Sequence, residues 1–404
     1  MLGVKKQLEL IKRGTIEIIP EEELVRKLES SLKQNKPLRI KMGFDPTAPD
    51  IHLGHTVGIR KLKQFQDLGH QVLLIIGDYT GMVGDPSGRS ETRPQLSYEK
   101  IRKNAETYQK QFFKILVKEK TEIHFNGEWF SRMSFQDIMG LASKFTLARI
   151  LERDDFTERF KNQNPISLHE LFYPLMQAYD SVAIKADLEV GATEQKFNLL
   201  TARQFQEQSG QEPQVILTIP VLAGTDGLQR MSKSTGNYIG IDESPGEIFG
   251  KIMSIPDELI YPYYELLTDI PEDELLKIKK ELETREINPM LWKKRLGKEL
   301  VTLYHSQKEA NNAQTEFDKI FSKKELPEKI ELFHLKSDQP KIWVVKLLTE
   351  TGLCASSSEA RRLIKQGGLY IDHQRIKDEN LQVDLKGEKL LKVGKRKFLK
   401  IVRD

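Results

Sequence analysis

At 404 residues with 38 % hydrophobic content, the chain is too long for one ordinary domain and holds apolar residues enough for real cores, yet nothing approaches the length of a membrane span. One cysteine, Cys354, excludes an intramolecular disulfide framework and a cysteine-rich zinc site, and fits a reducing cytosol. Net charge is only +4, but residues 338–404 hold 15 Lys and Arg against 9 Asp and Glu, so the basic excess sits at the C-terminal end, as in a terminal module for RNA or a membrane surface.

Residues 1–37 read as a helical lead-in, with Leu24, Leu28 and Leu32 on one face, and the first residues have no apolar run behind them that would make a signal peptide. Leu38 to Met42 alternates apolar and polar side chains, as a half-buried strand does. Ile59, Leu62, Phe65 and Leu68 then recur at helical spacing up to Gly69. The stretch between, Gly43 to His55, is therefore a turn from strand into helix, with His52-Leu53-Gly54-His55 at the helix N-terminus. Free N–H groups and the positive end of the helix dipole favour phosphate there. His52 and His55 share a helix face, and Gly54 lets a flat base lie close to the backbone.

Val72 to Ile76 is a continuous apolar run, typical of a strand buried on both faces of a parallel sheet, and completes a βαβ unit. The loop Gly81 to Arg89 resembles a phosphate cradle, but Asp85 suits an ammonium group better. Arg89 and Arg93 suit a polyphosphate or simply solvent. A helix from Ser97 to about Val117 and a strand from Thr121 to Phe125 follow. Residues 134–168 are helical and charged, with no chemistry apparent.

Tyr173, Gln177 and Asp180 fall at i, i+4 and i+7, on one polar face of an otherwise apolar helix. Such groups need partners, from the protein or from a polar small molecule. Strands at Asp187–Val190 and Val215–Ile219 flank a helix begun by Gly191-Ala192-Thr193-Glu194-Gln195. A cationic, glycine-flanked loop follows, Arg230-Met231-Ser232-Lys233-Ser234.

From about 244 to 330 the strand runs give way to charged helices, as at Glu272–Glu283 and Trp292–Tyr304, and residues 323–340 have the prolines and charge of a linker. The last segment carries a capping box at Ser356–Glu359, a helix ended by Gly367-Gly368, a turn at Asp372-His373-Gln374 and a basic strand. Ala360, Leu363 and Ile364 face inward; Arg361 and Lys365 face out, toward phosphates or solvent.

The pairing of the His52–His55 stretch with the Arg230–Ser234 loop resembles the two signatures of class I aminoacyl-tRNA synthetases. Gly43–His55, the Gly84–Gly88 loop, Tyr173/Gln177/Asp180, Gln195 and Arg230–Ser234 occur in the order seen in bacterial tyrosyl-tRNA synthetases, and the C-terminal segment resembles the small α-L RNA-binding domain named after a small-subunit ribosomal protein. The resemblance implies an α/β fold: a doubly wound Rossmann-like catalytic domain over 1–228, a signature loop and α-helical domain over 229–330, a linker at 331–339, and an α+β RNA-binding domain over 340–404. It also implies a cytoplasmic homodimer acting on ATP with its Mg²⁺, L-tyrosine and tRNA(Tyr), without a protein-ligated metal.

By the same resemblance, His52, His55, Thr47, Lys233, Arg230, Arg89 and Arg93 serve the phosphates. Asp85, Tyr173, Gln177, Asp180 and Gln195 bind tyrosine, with Asp180 reading the phenol. Asp45, Gly54, Ala192 and Glu194 join His52, His55 and Lys233 around ATP. Arg361, Arg362, Lys365, Lys395, Arg396 and Lys397 meet RNA. This sequence departs from the family at Lys41-Met42, where one branch has Tyr-Cys, at Ala192 and Glu194, and at Arg230, where a lysine is usual. A tryptophan-specific relative and an RNA-binding paralogue without catalysis are the competing readings. Asp180 argues against the first, and the His52/His55/Lys233 set against the second.

Overall fold

The structure, a computed structural model, describes the chain apart from residues 1, 47–49, 87–95, 285–286, 323–329, 336–338, 373, 395–396 and 404. It divides into two compact units, Met1–Ala310 and Asn311–Asp404. The boundary expected at 228 does not separate compact bodies. Helix Ile260–Leu267 lies against Leu53–Asp67, and Pro289–Tyr304 against Pro245–Ile252, so the helical run is built into the first unit.

In that unit, the described residues form a six-stranded sheet: β1 (Glu17–Ile19), β2 (Arg39–Phe44), β3 (Gln71–Ile76), β4 (Thr121–Phe125), β5 (Leu188–Ala192) and β6 (Val215–Ile219), in the order β1-β6-β5-β2-β3-β4. All neighbours are parallel except β1, which runs against β6. The short β1 lies inside the stretch read as a helical lead-in; helices Val4–Lys12 and Glu21–Gln34 flank it.

The chain builds β2, β3 and β4 outward to one side, then returns to lay β5 and β6 on the other. Ligand crevices in doubly wound sheets open where the winding reverses, beyond the carboxyl ends of the strands. Here that point lies between β2 and β5. β2 pairs with β3 along six positions but with β5 at only two, Ile40↔Leu188 and Lys41↔Glu189, after which they part. Two glycines keep the crevice walls close. A Cβ on Gly58 would collide with Met42 of β2, and one on Gly77 with Asp45 and Thr80.

The second unit has a sheet ordered β10-β9-β12-β13-β7, from β7 (Glu331–Leu335), β9 (Leu369–Ile371), β10 (Gln374–Ile376), β12 (Lys389–Val393) and β13 (Lys397–Arg403), beside a pair β8 (Lys341–Trp343) and β11 (Gln382–Asp384). The linker expected at 331–339 is corrected by β7, which pairs in parallel with β13. Phe333 and Leu335 join the core while Leu332 is exposed, the two-residue period of a strand. Of the predicted capping box the N-cap half is present, Ser356 Oγ accepting from Glu359 N; the Glu359 carboxylate accepts instead from Ala355 N, one residue before the cap. Ala360 and Ile364 are buried, with Leu363 packed beside them.

Candidate active site

After β2 the chain crosses to the helix Leu53–Asp67, with His52 in extended conformation as its N-cap. Residues 51–53 hydrogen-bond to 239–241: Leu53 N donates to Ile239 O at 2.9 Å and Ile241 N to Ile51 O at 3.1 Å. The first signature is thereby tied to the chain leaving the second. The imidazoles of His52 and His55 lie with centroids 3.9 Å apart and ring planes tilted by 33°. His55 Nδ1 accepts from the His52 backbone N–H at 3.2 Å, so the neutral ring carries its proton on Nε2. Burial and the neighbouring Lys233 hold His55 down to about 4. Burial, then His55, Lys233 and Arg230, hold His52 down to about 2. Both are neutral at pH 7. A Cβ on Gly54 would stand 3.0 Å from the His52 ring, so glycine lets that imidazole lie over the helix start.

The cationic loop is shaped by Asn237, which is 5 % exposed. Its Oδ1 accepts from Ser232 N at 2.8 Å and Thr235 Oγ1 at 2.7 Å; its Nδ2 donates to Asp226 Oδ2 at 2.9 Å and Arg230 O at 3.1 Å. Two ion pairs link the loop to the crevice edges. Lys233 Nζ lies 3.1 Å from Asp50, and Arg230 lies 2.8 Å from Glu194 in the turn after β5.

Helix Tyr173–Ile184 forms the floor, starting with Pro174 in its first turn, where proline is tolerated. Asp180, 3 % exposed, accepts from Trp129 Nε1 at 3.0 Å and Asn126 Nδ2 at 3.4 Å. Burial pushes its carboxyl up to about 7, against the pull of Lys41 and those two donors. Tyr173 donates to Asp45 at 2.9 Å, and Thr80 donates to the other oxygen of Asp45 at 2.8 Å.

A continuous polar chain runs below. Gln177 Nε2 donates to Glu189 at 3.1 Å, Asn198 Nδ2 donates to Gln177 Oε1 at 2.9 Å and to Gln195 Oε1 at 3.0 Å, and Gln195 Nε2 donates to Asp85 at 2.6 Å. The buried Arg153 donates to the other oxygen of Asp85 at 3.2 Å. A protein cation thus already stands at the carboxylate expected to meet an ammonium group.

The crevice, about 470 Å³, is lined by Asp45, His52, Gly54, His55, Asp85, Tyr173, Gln177, Asp180, Ala192, Glu194, Gln195, Arg230 and Lys233. Thr47, Arg89 and Arg93 lie outside the described residues, as do Lys395 and Arg396. In the second unit Arg361, Arg362, Lys365 and Lys397 are exposed; Arg361 also stands over the Trp343 ring at 5.4 Å, and Glu379 lies 3.6 Å from Lys365. Sequence reasoning missed Asn126, Trp129, Arg153, Asn198 and Asn237. Each acts through a partner distant in sequence or through backbone groups, and no spacing announces it.

A family profile described as "tRNA synthetases class I (W and Y)" matches residues 33–322, and one described as "S4 domain" matches 342–389. The tyrosine–tRNA ligase of Carboxydothermus hydrogenoformans is 55 % identical over 403 residues, covering 99 % of this chain and 98 % of that one. That of Thermotoga maritima is 50 % identical over 397 residues, covering 98 % and 97 %. Among solved structures, a C-terminally truncated mitochondrial tyrosyl-tRNA synthetase of Aspergillus nidulans superposes with TM-score 0.65 at 22 % identity, over 80 % of this chain and 95 % of that one. The Archaeoglobus fulgidus tyrosyl-tRNA synthetase complexed with L-tyrosine gives 0.63 at 24 % identity, over 77 % and 100 %. These two likenesses concern the fold.

Proposed function

The chain belongs to the class I tRNA synthetases of the tryptophan and tyrosine family and ligates tyrosine to tRNA(Tyr), and we propose how its crevice divides that work. Tyrosine and ATP give tyrosyl-adenylate and pyrophosphate; the tyrosyl group then passes to the 3′-terminal adenosine of the tRNA. In the first step a tyrosine carboxylate oxygen attacks the α-phosphorus, the bond from that phosphorus to the bridging oxygen breaks, and pyrophosphate leaves. In the second, a ribose hydroxyl of the terminal adenosine attacks the tyrosyl carbonyl and AMP leaves. Neither step needs a covalent enzyme intermediate, so catalysis rests on alignment and on stabilising charge that grows in the transition state.

His55, protonated on Nε2, and His52 donate to phosphate oxygens as neutral imidazoles, adding no net charge that would hold pyrophosphate back. Lys233 and Arg230 exchange Asp50 and Glu194 for the departing pyrophosphate. Thr47, Arg89 and Arg93 assist by family position. Asp45, Gly54, Ala192 and Glu194 receive the nucleoside side of ATP, and Mg²⁺ enters with ATP as part of the substrate. Tyrosine lies over the floor helix. Its ammonium group meets Tyr173 and Gln177 and shares Asp85 with Arg153, beside Gln195, and its phenol donates to Asp180. A carboxylate accepts at about four lone-pair sites, so Asp180 can take the phenol as well as Trp129 and Asn126. Phenylalanine would leave that acceptor buried and one bond short.

The observation that carries this reading is that residues from four separate parts of the chain, 43–45 with 50–55, 173–180, 191–195 and 230–233, converge on one crevice at the winding reversal of the sheet. ATP–pyrophosphate exchange with tyrosine, phenylalanine and tryptophan in parallel tests it, with Lys233→Ala as control. Exchange with tyrosine alone, abolished in the variant, is the expected result. Exchange with tryptophan, or none at all, would overturn the reading.

The exposed basic side chains Arg361, Arg362, Lys365 and Lys397, with Lys395 and Arg396, contact tRNA phosphates. A cytoplasmic homodimer completes the reading. Phe135, Met139, Leu147, Phe160 and Leu168 are each more than half exposed, an apolar supply suited to a subunit contact. Among the described residues no helix is long and apolar enough to cross a membrane. Sedimentation of Phe160→Asp against the parent chain tests the contact: a lighter species supports it.

A further inference from the structure

Lys41 and Glu189 face each other on the last rung joining β2 to β5, both essentially inaccessible, with Nζ 3.0 Å from Oε1. Isolated charges are not buried without return. A pair removed from water gains only when its remaining donors and acceptors are also satisfied. Here they are. Lys41 Nζ also donates to Gln177 O at 2.9 Å and Ser181 Oγ at 2.7 Å. Glu189 accepts from Gln177 Nε2 at 3.1 Å, Ser181 Oγ at 3.1 Å and Gln214 Nε2. Gln177 is therefore held at both backbone and side chain, and Ser181, one turn on, at its hydroxyl, by one ion pair, with Asp180 between them on the same helix. Glu189 lines the crevice; Lys41 does not. The pair anchors the floor helix just where the strands part, which is where sheet hydrogen bonds can no longer fix it.

We propose that Lys41, locked by Glu189, is a specificity-determining positioning residue: it sets the placement of Gln177 and Asp180, so that choosing tyrosine over phenylalanine depends on a side chain that does not line the crevice. This rests on the reading of Asp180 as the acceptor for the phenol. In a positioned site a shift of about 1 Å in such a group can cost about a hundredfold. The charge pair supplies the stiffness that a hydrophobic contact, free to slide, would not.

The test measures ATP–pyrophosphate exchange in the full chain for Lys41→Met, Lys41→Arg, the double variant Lys41→Met/Glu189→Gln, and Asp180→Asn. In Lys41→Met the tyrosine-over-phenylalanine ratio of kcat/KM is expected to fall by roughly a hundredfold, through the KM for tyrosine, with the KM for ATP unchanged. The double variant removes the stranded carboxylate charge, so its melting temperature is expected to recover while selectivity stays low. Lys41→Arg keeps the charge and is expected to restore part of the selectivity. Wild-type selectivity in a folded Lys41→Met or in the double variant would overturn the proposal and make the pair merely structural. Asp180→Asn separates the two claims. If it retains selectivity, the phenol reading itself fails; if it loses selectivity while Lys41→Met does not, only the positioning role fails.

Discussion

Arg230 of the cationic loop and Glu194 of the turn after β5 form a side-on ion pair, one guanidinium nitrogen lying 2.8 and 3.0 Å from the two carboxylate oxygens. The pair spans the crevice edge, so two residues expected to touch opposite ends of ATP touch each other. Each cation of the loop has such a partner, Lys233 having Asp50. Those carboxylates hold the loop in register while remaining exchangeable for phosphate, because about a third of each side chain of the Arg230–Glu194 pair is in water.

That exposure decides what Glu194→Gln should do. Exposed pairs contribute at most about 1 kcal/mol, so the melting temperature should barely move. The KM for ATP in pyrophosphate exchange should rise several-fold, because an amide offers the ribose a weaker acceptor and no longer presets Arg230. A fall in melting temperature with an unchanged KM would reduce Glu194 to a structural partner.

The pH dependence should report Asp180. Its folded value is raised to about 7, so the anion that accepts a phenol accumulates as pH rises through that value. For stability the sign is opposite: a raised carboxyl contributes fully below its unfolded value and loses that contribution as pH rises through about 7. Tyrosine kcat/KM should therefore climb between pH 6 and pH 8 along a single ionisation. Trp129→Phe removes a donor that favours the anion, and should move the midpoint to higher pH while lowering selectivity against phenylalanine. An unmoved midpoint would detach Trp129 from Asp180.

Much of this arrangement was legible in the sequence where a local pattern recorded it. The alternation of residues 38–42, the apolar run 72–76 and the helical stripe from Ile59 to Leu68 gave β2, β3 and the helix bearing both histidines. Period alone could not tell that Lys41, on the polar side of β2, is buried while Arg39 on the same side is only half-buried. Lys41 reads as a solvent-facing strand residue until Glu189 is brought beside it by a strand far along the chain. Arg153 and Trp129 were hidden by their company: the charged helices around residue 153 look solvated, and one tryptophan looks like core. β7 was masked by the proline and charge that precede it, although its alternation was present. The family order of motifs compensated for these losses at the crevice, because it names residues without needing their partners.

Asn237→Ala should act on rate more than on binding. The amide bonds Ser232 N, Thr235 Oγ1, Asp226 and Arg230 O from a buried position, so its loss frees the backbone that presents Lys233. Loosened placement of a transition-state cation should lower kcat for exchange by about tenfold to a hundredfold, with the KM for tyrosine unchanged. Stopped-flow measurement of adenylate formation checks this, and an effect confined to the tyrosine KM would contradict it.

Truncation should separate the two chemical steps, provided the cut respects β7. A chain ending at Ser322 keeps the helix Gln307–Ser322 and removes the entire C-terminal sheet. Pyrophosphate exchange needs only the crevice, whose lining residues all lie within the first compact unit, so it should persist. Charging of tRNA should fall by about tenfold or more at limiting tRNA, through lost phosphate contacts, and the remaining activity should depend less steeply on salt. A cut at 338 is different. It leaves Glu331–Leu335 without β13, exposing an unpaired strand with Leu332, Phe333 and Leu335, and that product should aggregate. Loss of exchange in a soluble, monodisperse chain ending at Ser322 would show instead that the C-terminal unit is needed to build the crevice.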